Sequence, residues 1–190
     1  MGELKQIVGL EVTLDEGLGT TKISQSRYIS KILNRFGMSN SHPVSMPLDP
    51  NVKLINTPDD EHHNIPEYGT AIGSLKYAAI GTRPDIAFAV QILSQFTSNP
   101  NSTHWTAVKH VFHYLNGTHD MGIIYQTGGA AKPYAYSDAD WGSNPNDQKS
   151  ISGNIFLMAG GPISWTSKKQ PTIALSSMEA DDESQAIVEV

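Results

Sequence analysis

The chain has 190 residues, a formal charge of −6, 38% hydrophobic residues and no cysteine. That length allows one large domain or two small ones, the composition is that of a soluble globular chain, and the missing cysteine removes disulfide and thiolate chemistry together. The charge is uneven, 9 Lys and Arg against 11 Asp and Glu in residues 1–130 and 4 against 8 in residues 131–190, which argues against tight autonomous nucleic-acid binding because phosphate neutralisation drives that affinity.

No apolar stretch approaches the roughly 20 residues of a membrane helix, and the N-terminal MGELKQ has no signal-peptide core, so the expectation is an intracellular chain, neither secreted nor membrane-bound. Residues 6–24 alternate, with Leu10, Val12 and Leu14 on one face, then the turn-rich 15-DEGLGT-20, then Thr21 and Ile23, the pattern of a β-hairpin. A helix follows in 26-SRYISKILNRFGM-38, with Ser26 as N-cap, Tyr28, Ile29, Ile32, Leu33 and Phe36 as its stripe, and Gly37 as its stop. Residues 41–67 hold Pro43, Pro47, Pro50, Pro58, Pro66 and the acidic 59-DDEHHN-64, and read as a connector without long regular elements.

Helices resume with 68–80 and with 84–96, where Pro84 and Asp85 suit a first turn and Ile86, Ala89, Val90, Leu93 and Phe96 line one side. A third runs from about Ser102 through Trp105, Val108, Phe112 and Leu115 to 116-NG-117. From about residue 121 the period becomes alternating, giving strands at 122–126, 133–139, 153–158, 162–167 and 171–175, with 160-GG-161 closing a hairpin. A last helix starts at Ser176, which forms a capping-box pair with Glu179, and carries Ala180, Ser184 and Ile187 inward. The sequence reaches only about three turns into it.

The run 136-YSDADW-141 sets Tyr136, Asp138 and Asp140 on one strand face. Two readings stand: the strand ends there, with Asp140 and Trp141 opening the turn into 142-GSNPNDQ-148, or a strand-borne carboxylate binds a divalent metal for phosphoryl chemistry.

The run 138-DADWGSNPNDQKSISGNIFLMAGGPISWTSKKQPTIALSSMEA-180 closely resembles the start of the RNase H domain of copia-type LTR retrotransposon Pol polyproteins. The runs 2-GELKQIVGLEV-12, 26-SRYISKILNRFGM-38, 43-PVSMPLDPNVKL-54, 70-TAIGSLKYAAIGTRPDIAFAVQILSQF-96 and 105-WTAVKHVFHYLNGT-118 are similar to the end of the reverse transcriptase in the same polyproteins. The resemblance implies an α+β chain: the last palm hairpin and first thumb helix in 1–40, a Pro-rich connector in 41–67, thumb and connection helices in 68–130, and an incomplete RNase H-like mixed sheet with one helix in 131–190.

It also implies a parent activity of RNA-directed DNA synthesis and Mg²⁺-dependent hydrolysis of RNA in RNA/DNA hybrids, the metals held by converging carboxylates. By motif match Asp138 is the first acid, with Asp140 a turn residue. Asp181 stands where the family has Glu in its SSTEAEY run, here 176-SSMEADD-182, and it is one methylene shorter than the expected ligand. Glu179 is the alternative, although its capping position gives a structural account. The family's polymerase aspartates and its remaining RNase H acids belong to motifs not found in these 190 residues, so the expectation is a catalytically incomplete chain. The alternative is an Mg²⁺-dependent ribonuclease H completed by a second chain.

Other expectations follow from the same residues. Lys168 and Lys169 are the local basic pair, read as a nucleic-acid contact or as an ordinary solvated hairpin. The partners implied are the RNA/DNA hybrid, the rest of the Pol polyprotein, or self-association through an open strand edge. His110 and His113 share a helix face, His62 and His63 lie in the acidic connector, and Trp141 and Trp165 either stack on bases or, the favoured reading, complete a core.

Overall fold

The computed structural model describes residues 6–56, 58, 64–128, 132–142 and 144–185. The N-terminal region read as one hairpin holds three strands. β1 (Gln6–Ile7) pairs with β2 (Leu10–Asp15) through Gln6 opposite Glu11 and Ile7 opposite Leu10. Val8 and Gly9 between them have φ of 48° and 82°, the positive values a two-residue hairpin turn needs. Asp15 then accepts the Leu18 N–H at 2.9 Å and turns the chain into β3 (Thr20–Ser24). A fourth strand, β4 (Gly122–Gln126), completes an antiparallel sheet in the order β1-β2-β3-β4. A Cβ on Gly122 would overlap the Ile23 carbonyl oxygen, so that approach needs glycine.

Two compact units divide the chain, residues 1–13 with 22–123 and residues 14–21 with 124–190. In the first, helices α1 (Ser26–Arg35), α2 (Glu67–Gly81), α3 (Ala87–Ser94) and α4 (Ser102–Gly117) bury one apolar cluster that includes Ile29, Leu33, Tyr68, Leu75, Leu93 and Phe112. Each such side chain contributes about 1.5–3 kcal/mol on burial, enough to hold helices too short to persist alone. Phe36, stacked on Phe112 at 4.8 Å, joins α1 to α4.

Helix α1 stops as the sequence says: Gly37 has φ 68°, its N–H bonds Asn34 O, and Met38 N–H reaches back to Leu33 O at 2.7 Å, a Schellman motif. Its start differs from expectation. Gln25 is the N-cap and makes no side-chain cap bond, Ser26 is already helical, and Glu11 of β2 accepts the Arg27 N–H instead while also pairing with the Arg27 side chain at 2.7 Å. The helix expected at 84–96 is split, a 3-10 turn at Pro84–Ile86 leading into α3, because Arg83 and Asp85 are held sideways by a buried network.

In the second unit β5 (Tyr134–Asp140), β6 (Ile151–Met158) and β7 (Gly161–Lys169) form a sheet in that order, with Asp138 opposite Gly153 and Ile155 opposite Trp165. Among the described residues this sheet is antiparallel throughout and not mixed, since short connections join only antiparallel neighbours. The β6–β7 turn is Ala159–Gly160, with φ of 52° and 82°, and Gly161 already belongs to β7. A Cβ there would come within 2.9 Å of the Tyr125 ring.

The strand expected at 171–175 is absent: Pro171 has no N–H for a ladder, Gln170 bonds back to Ser150 O, and the chain bends into α5 (Ser177–Gln185). Glu179 N–H donates to Ser176 Oγ at 3.2 Å, while the Glu179 carboxylate accepts from Leu175 N–H at 2.7 Å, one residue before the position a capping box would use. The interior under α5 is polar, with Ser152, Asn154, Gln170 and Ser184 buried beside Ala180.

Candidate functional site

Asp138 stands in the middle of β5, exposed, and its Oδ1 accepts the N–H of Ala139 at 3.0 Å. Asp140, at the end of the strand, accepts the N–H of Ile151 on β6 at 2.7 Å. Both carboxylates thus serve backbone donors that the ladder does not take. The register sets Asp138 on the face of Tyr136, Gly153 and Ser167, and sets Ala139 and Ser152 on the other. Over that second face lies α5: Gln170 Nε2 donates both to Ser152 Oγ and to the Ala180 carbonyl, each at 2.8 Å.

Asp181 follows Ala180 on α5 and is half-buried. Asp138 and Asp181 therefore sit on opposite sides of the sheet, and Glu179 is turned back onto the helix start. Among the described residues no three His, Asp or Glu side chains gather into a metal-binding group. The donors present do not fit an Mg²⁺ site of the two-metal kind, which needs several converging carboxylates.

Lys168 and Lys169 alternate to opposite faces of β7. Lys168 is exposed, whereas Lys169 pairs with Asp147 at 2.5 Å. Burial acts to raise Asp147, but the Lys169 hydrogen bond, the Lys149 N–H and both ammonium charges outweigh it and hold the carboxyl below its usual value. Lys149 also donates to the Pro171 carbonyl, fastening the 141–149 loop to the segment before α5. Trp141 is not a core residue: it is 56% exposed at the rim of the sheet, its indole N–H bonded to Ala174 O at 3.1 Å. Trp165 is half-buried opposite Ile155. His110 and His113 bond the backbone carbonyls of Met46 and His42, both at 3.0 Å. His62 and His63 lie outside the described residues.

Two groups went unremarked in the sequence, the buried Arg83 and the buried His104. The signals for them were local: an Arg and an Asp flanking a proline in 83-RPD-85, and an Asn three residues before a His at a helix start.

No protein-family profile matches the chain, and no solved structure matches it. Curated sequences do. The chain is 39% identical over 189 residues to the retrovirus-related Pol polyprotein from transposon TNT 1-94 of Nicotiana tabacum, an alignment covering 95% of this chain and 14% of that protein. It is 40% identical over 185 residues to the retrovirus-related Pol polyprotein from transposon RE1 of Arabidopsis thaliana, covering 97% of this chain and 12% of that one. It is also 48% identical over 126 residues to secreted RxLR effector protein 161 of Plasmopara viticola, covering 66% of this chain and 87% of that protein.

A mixed α/β chain with collinear similarity of this extent is a transposon polyprotein segment. The chain belongs to the copia-type retrotransposon Pol polyprotein family, and it spans about a seventh or less of the length of the Pol polyproteins it matches. Among the described residues no helix is long and apolar enough to cross a membrane.

Proposed function

We propose that these residues run from the end of the reverse transcriptase, in 1–130, into the beginning of an RNase H-like domain, in 131–190, and that they contact an RNA/DNA hybrid without cutting it. In this reading residues 1–40 carry the last palm hairpin and first thumb helix, 41–67 the connector, and 68–130 the thumb and connection helices. The parent polyprotein copies RNA into DNA and hydrolyses the RNA strand with Mg²⁺. The observation that supports contact without cleavage is the disposition of the acids: Asp138 and Asp140 each accept a backbone N–H, and Asp138 lies across the sheet from Asp181.

One feature favours a second reading, in which another chain completes an Mg²⁺-dependent ribonuclease H. Among the described residues β5 pairs only with β6, so its outer edge is open to an added strand. One experiment separates the two: a labelled RNA/DNA hybrid is incubated with the chain and Mg²⁺ or Mn²⁺, beside Asp138→Asn and a metal-free control, and binding is followed on the same samples. The first reading expects weak, salt-sensitive binding and no cleavage. Metal-dependent cleavage abolished by Asp138→Asn would replace it with the second.

A further inference from the structure

Residues 41–56 contain no helix or strand and run antiparallel along α4, whose side chains collect their carbonyls. Asn116 Nδ2 donates to Ser41 O at 2.8 Å, and His113, His110 and His104 bond His42 O, Met46 O and Ile55 O, each at 3.0 Å. Carbonyls only accept, so each imidazole nitrogen involved carries a hydrogen. Gly117 lets this strap approach closely, because a Cβ there would come within 2.7 Å of Pro43.

Protonation leaves three of these clips intact. Asn116 does not titrate, and an imidazolium at His110 or His113 still donates the same N–H. His104 differs. Its other nitrogen, Nδ1, accepts the Asn101 N–H at 3.0 Å, while Asn101 accepts the His104 N–H at 3.0 Å, closing a reciprocal cap on α4. The ring is fully buried and stacks on Phe96 with centroids 3.8 Å apart. One nitrogen must donate and the other must accept, so the neutral Nε2–H tautomer alone satisfies both partners.

We propose that His104 is a proton-operated catch: protonation of Nδ1 sets donor against donor with the Asn101 N–H, and when the ring leaves its seat to relieve that conflict it gives up the Ile55 bond as well, freeing the first turn of α4 and the Ile55 end of the strap together while the clips at residues 41–46 hold. Between the strap and that turn lies a cavity of about 290 Å³ lined by Leu48, Asp49, Val52, Ser102, Thr103 and His110, which the motion would open. Burial pushes the His104 imidazole below its ordinary value, opposed by the Ile55 carbonyl. The titratable groups on the packing elements are His42, Asp49 and Lys53 of the strap, Glu67, Tyr68, Lys76 and Tyr77 of α2, and Lys109, His110, His113 and Tyr114 of α4; among the described residues none bonds the ring. The unfolded or opened form therefore binds the proton more readily, so the catch is closed above about pH 6.5 and opens as pH falls below it, by up to about tenfold in the opening constant per pH unit.

The test is amide hydrogen exchange with imidazole ¹⁵N shifts on the 190-residue chain between pH 7.5 and 5.0, corrected for intrinsic exchange rates. Protection of the His104 and Trp105 amides should fall with pH by up to that factor, protection at Phe112 should hold, and His104 should show the neutral Nε2–H tautomer at pH 7.5. His104→Gln should remove the pH dependence, while His110→Gln and His113→Gln keep it. Equal pH dependence in His104→Gln and the parent chain would overturn the proposal. If His104→Gln does not fold, the imidazole titration decides: an ordinary His104 titration with unchanged amide protection overturns the proposal, and a depressed titration that tracks loss of protection upholds it.

Discussion

The guanidinium of Arg83, 1% exposed, lies against the carboxylate of Asp85, with Nη2 2.6 Å from Oδ2 and Nε 2.9 Å from Oδ1. The same guanidinium donates to the Thr118 carbonyl and hydroxyl at 2.9 and 2.7 Å, and Tyr114 donates to Asp85 at 2.8 Å. The network fastens the end of α2 to the end of α4. Asp85→Ala leaves a buried cation without its anion and should cost about 3 kcal/mol, the low end for breaking a buried pair, because Asp85 itself is 29% exposed. Urea unfolding followed by helical circular dichroism measures it, and a loss under about 0.5 kcal/mol, the range of ordinary surface substitutions, would mean the network is ornamental.

Gly81→Ala should destabilise the helical unit by about 1–3 kcal/mol through overpacking. A Cβ at Gly81 would stand 2.5 Å from Oε1 of Gln25, which is fully buried and already accepts the Thr82 hydroxyl at 2.9 Å. The double variant Gly81→Ala, Gln25→Ala should lose less than the two single losses together, since the clash needs both side chains. Strict additivity in that cycle would show the cost of Gly81→Ala to come from elsewhere.

Where local chemistry alone decides, the sequence was readable. The Schellman stop at Gly37, the β6–β7 hairpin and the Ser176 start of α5 all follow from residues within a few positions of one another. Readings failed where a distant partner intervenes. Glu11, on another strand, takes the capping task assigned to Ser26; Thr118 and Tyr114 hold 83-RPD-85 and interrupt a continuous helix; Pro171 and the inward turn of Gln170 end a strand that periodicity extends to residue 175. The site shows the same division. Alternation correctly sets Asp138 and Tyr136 on one face, but which face α5 covers depends on Gln170 reaching Ser152 and Ala180, and no spacing in the sequence encodes that.

The two units should unfold separately. Residues within 22–123 bury a continuous apolar cluster, whereas the interior beneath α5 is largely Ser, Asn and Gln; among the described residues Asn154 Nδ2 and Gln170 Oε1 are buried there without a hydrogen-bond partner, as are Gln25 Nε2 and Ser41 Oγ in the helical unit. Apolar burial supplies most of the stabilisation, and unpaired buried polar atoms subtract from it. Urea titration should show an early transition reported by β-sheet signal and a later one reported by helix signal. A single transition whose slope fits the surface of all 190 residues would contradict this.

The Asp147–Lys169 pair makes the last prediction, and it bears on both stability and nucleic-acid contact. Asp147 is held below its usual value in the folded chain, so its contribution is present above the ordinary carboxyl value near pH 3.9 and is lost as pH falls through the lower folded value. Asp147→Asn should therefore lower stability above about pH 4, at pH 7 included, by only a small amount because the pair is about one-third exposed, and change little in more acid solution, so that the acid limb of stability flattens. The same substitution removes the anion that Lys169 pairs with, and on the proposed hybrid-contact reading this releases Lys169 toward a phosphate. Hybrid binding should tighten, with the slope of log affinity against log salt steepening by up to about one, as one added phosphate contact predicts. An unchanged slope in Asp147→Asn, together with no loss in Lys169→Met, would take Lys169 out of any contact with the duplex and leave it a loop fastener.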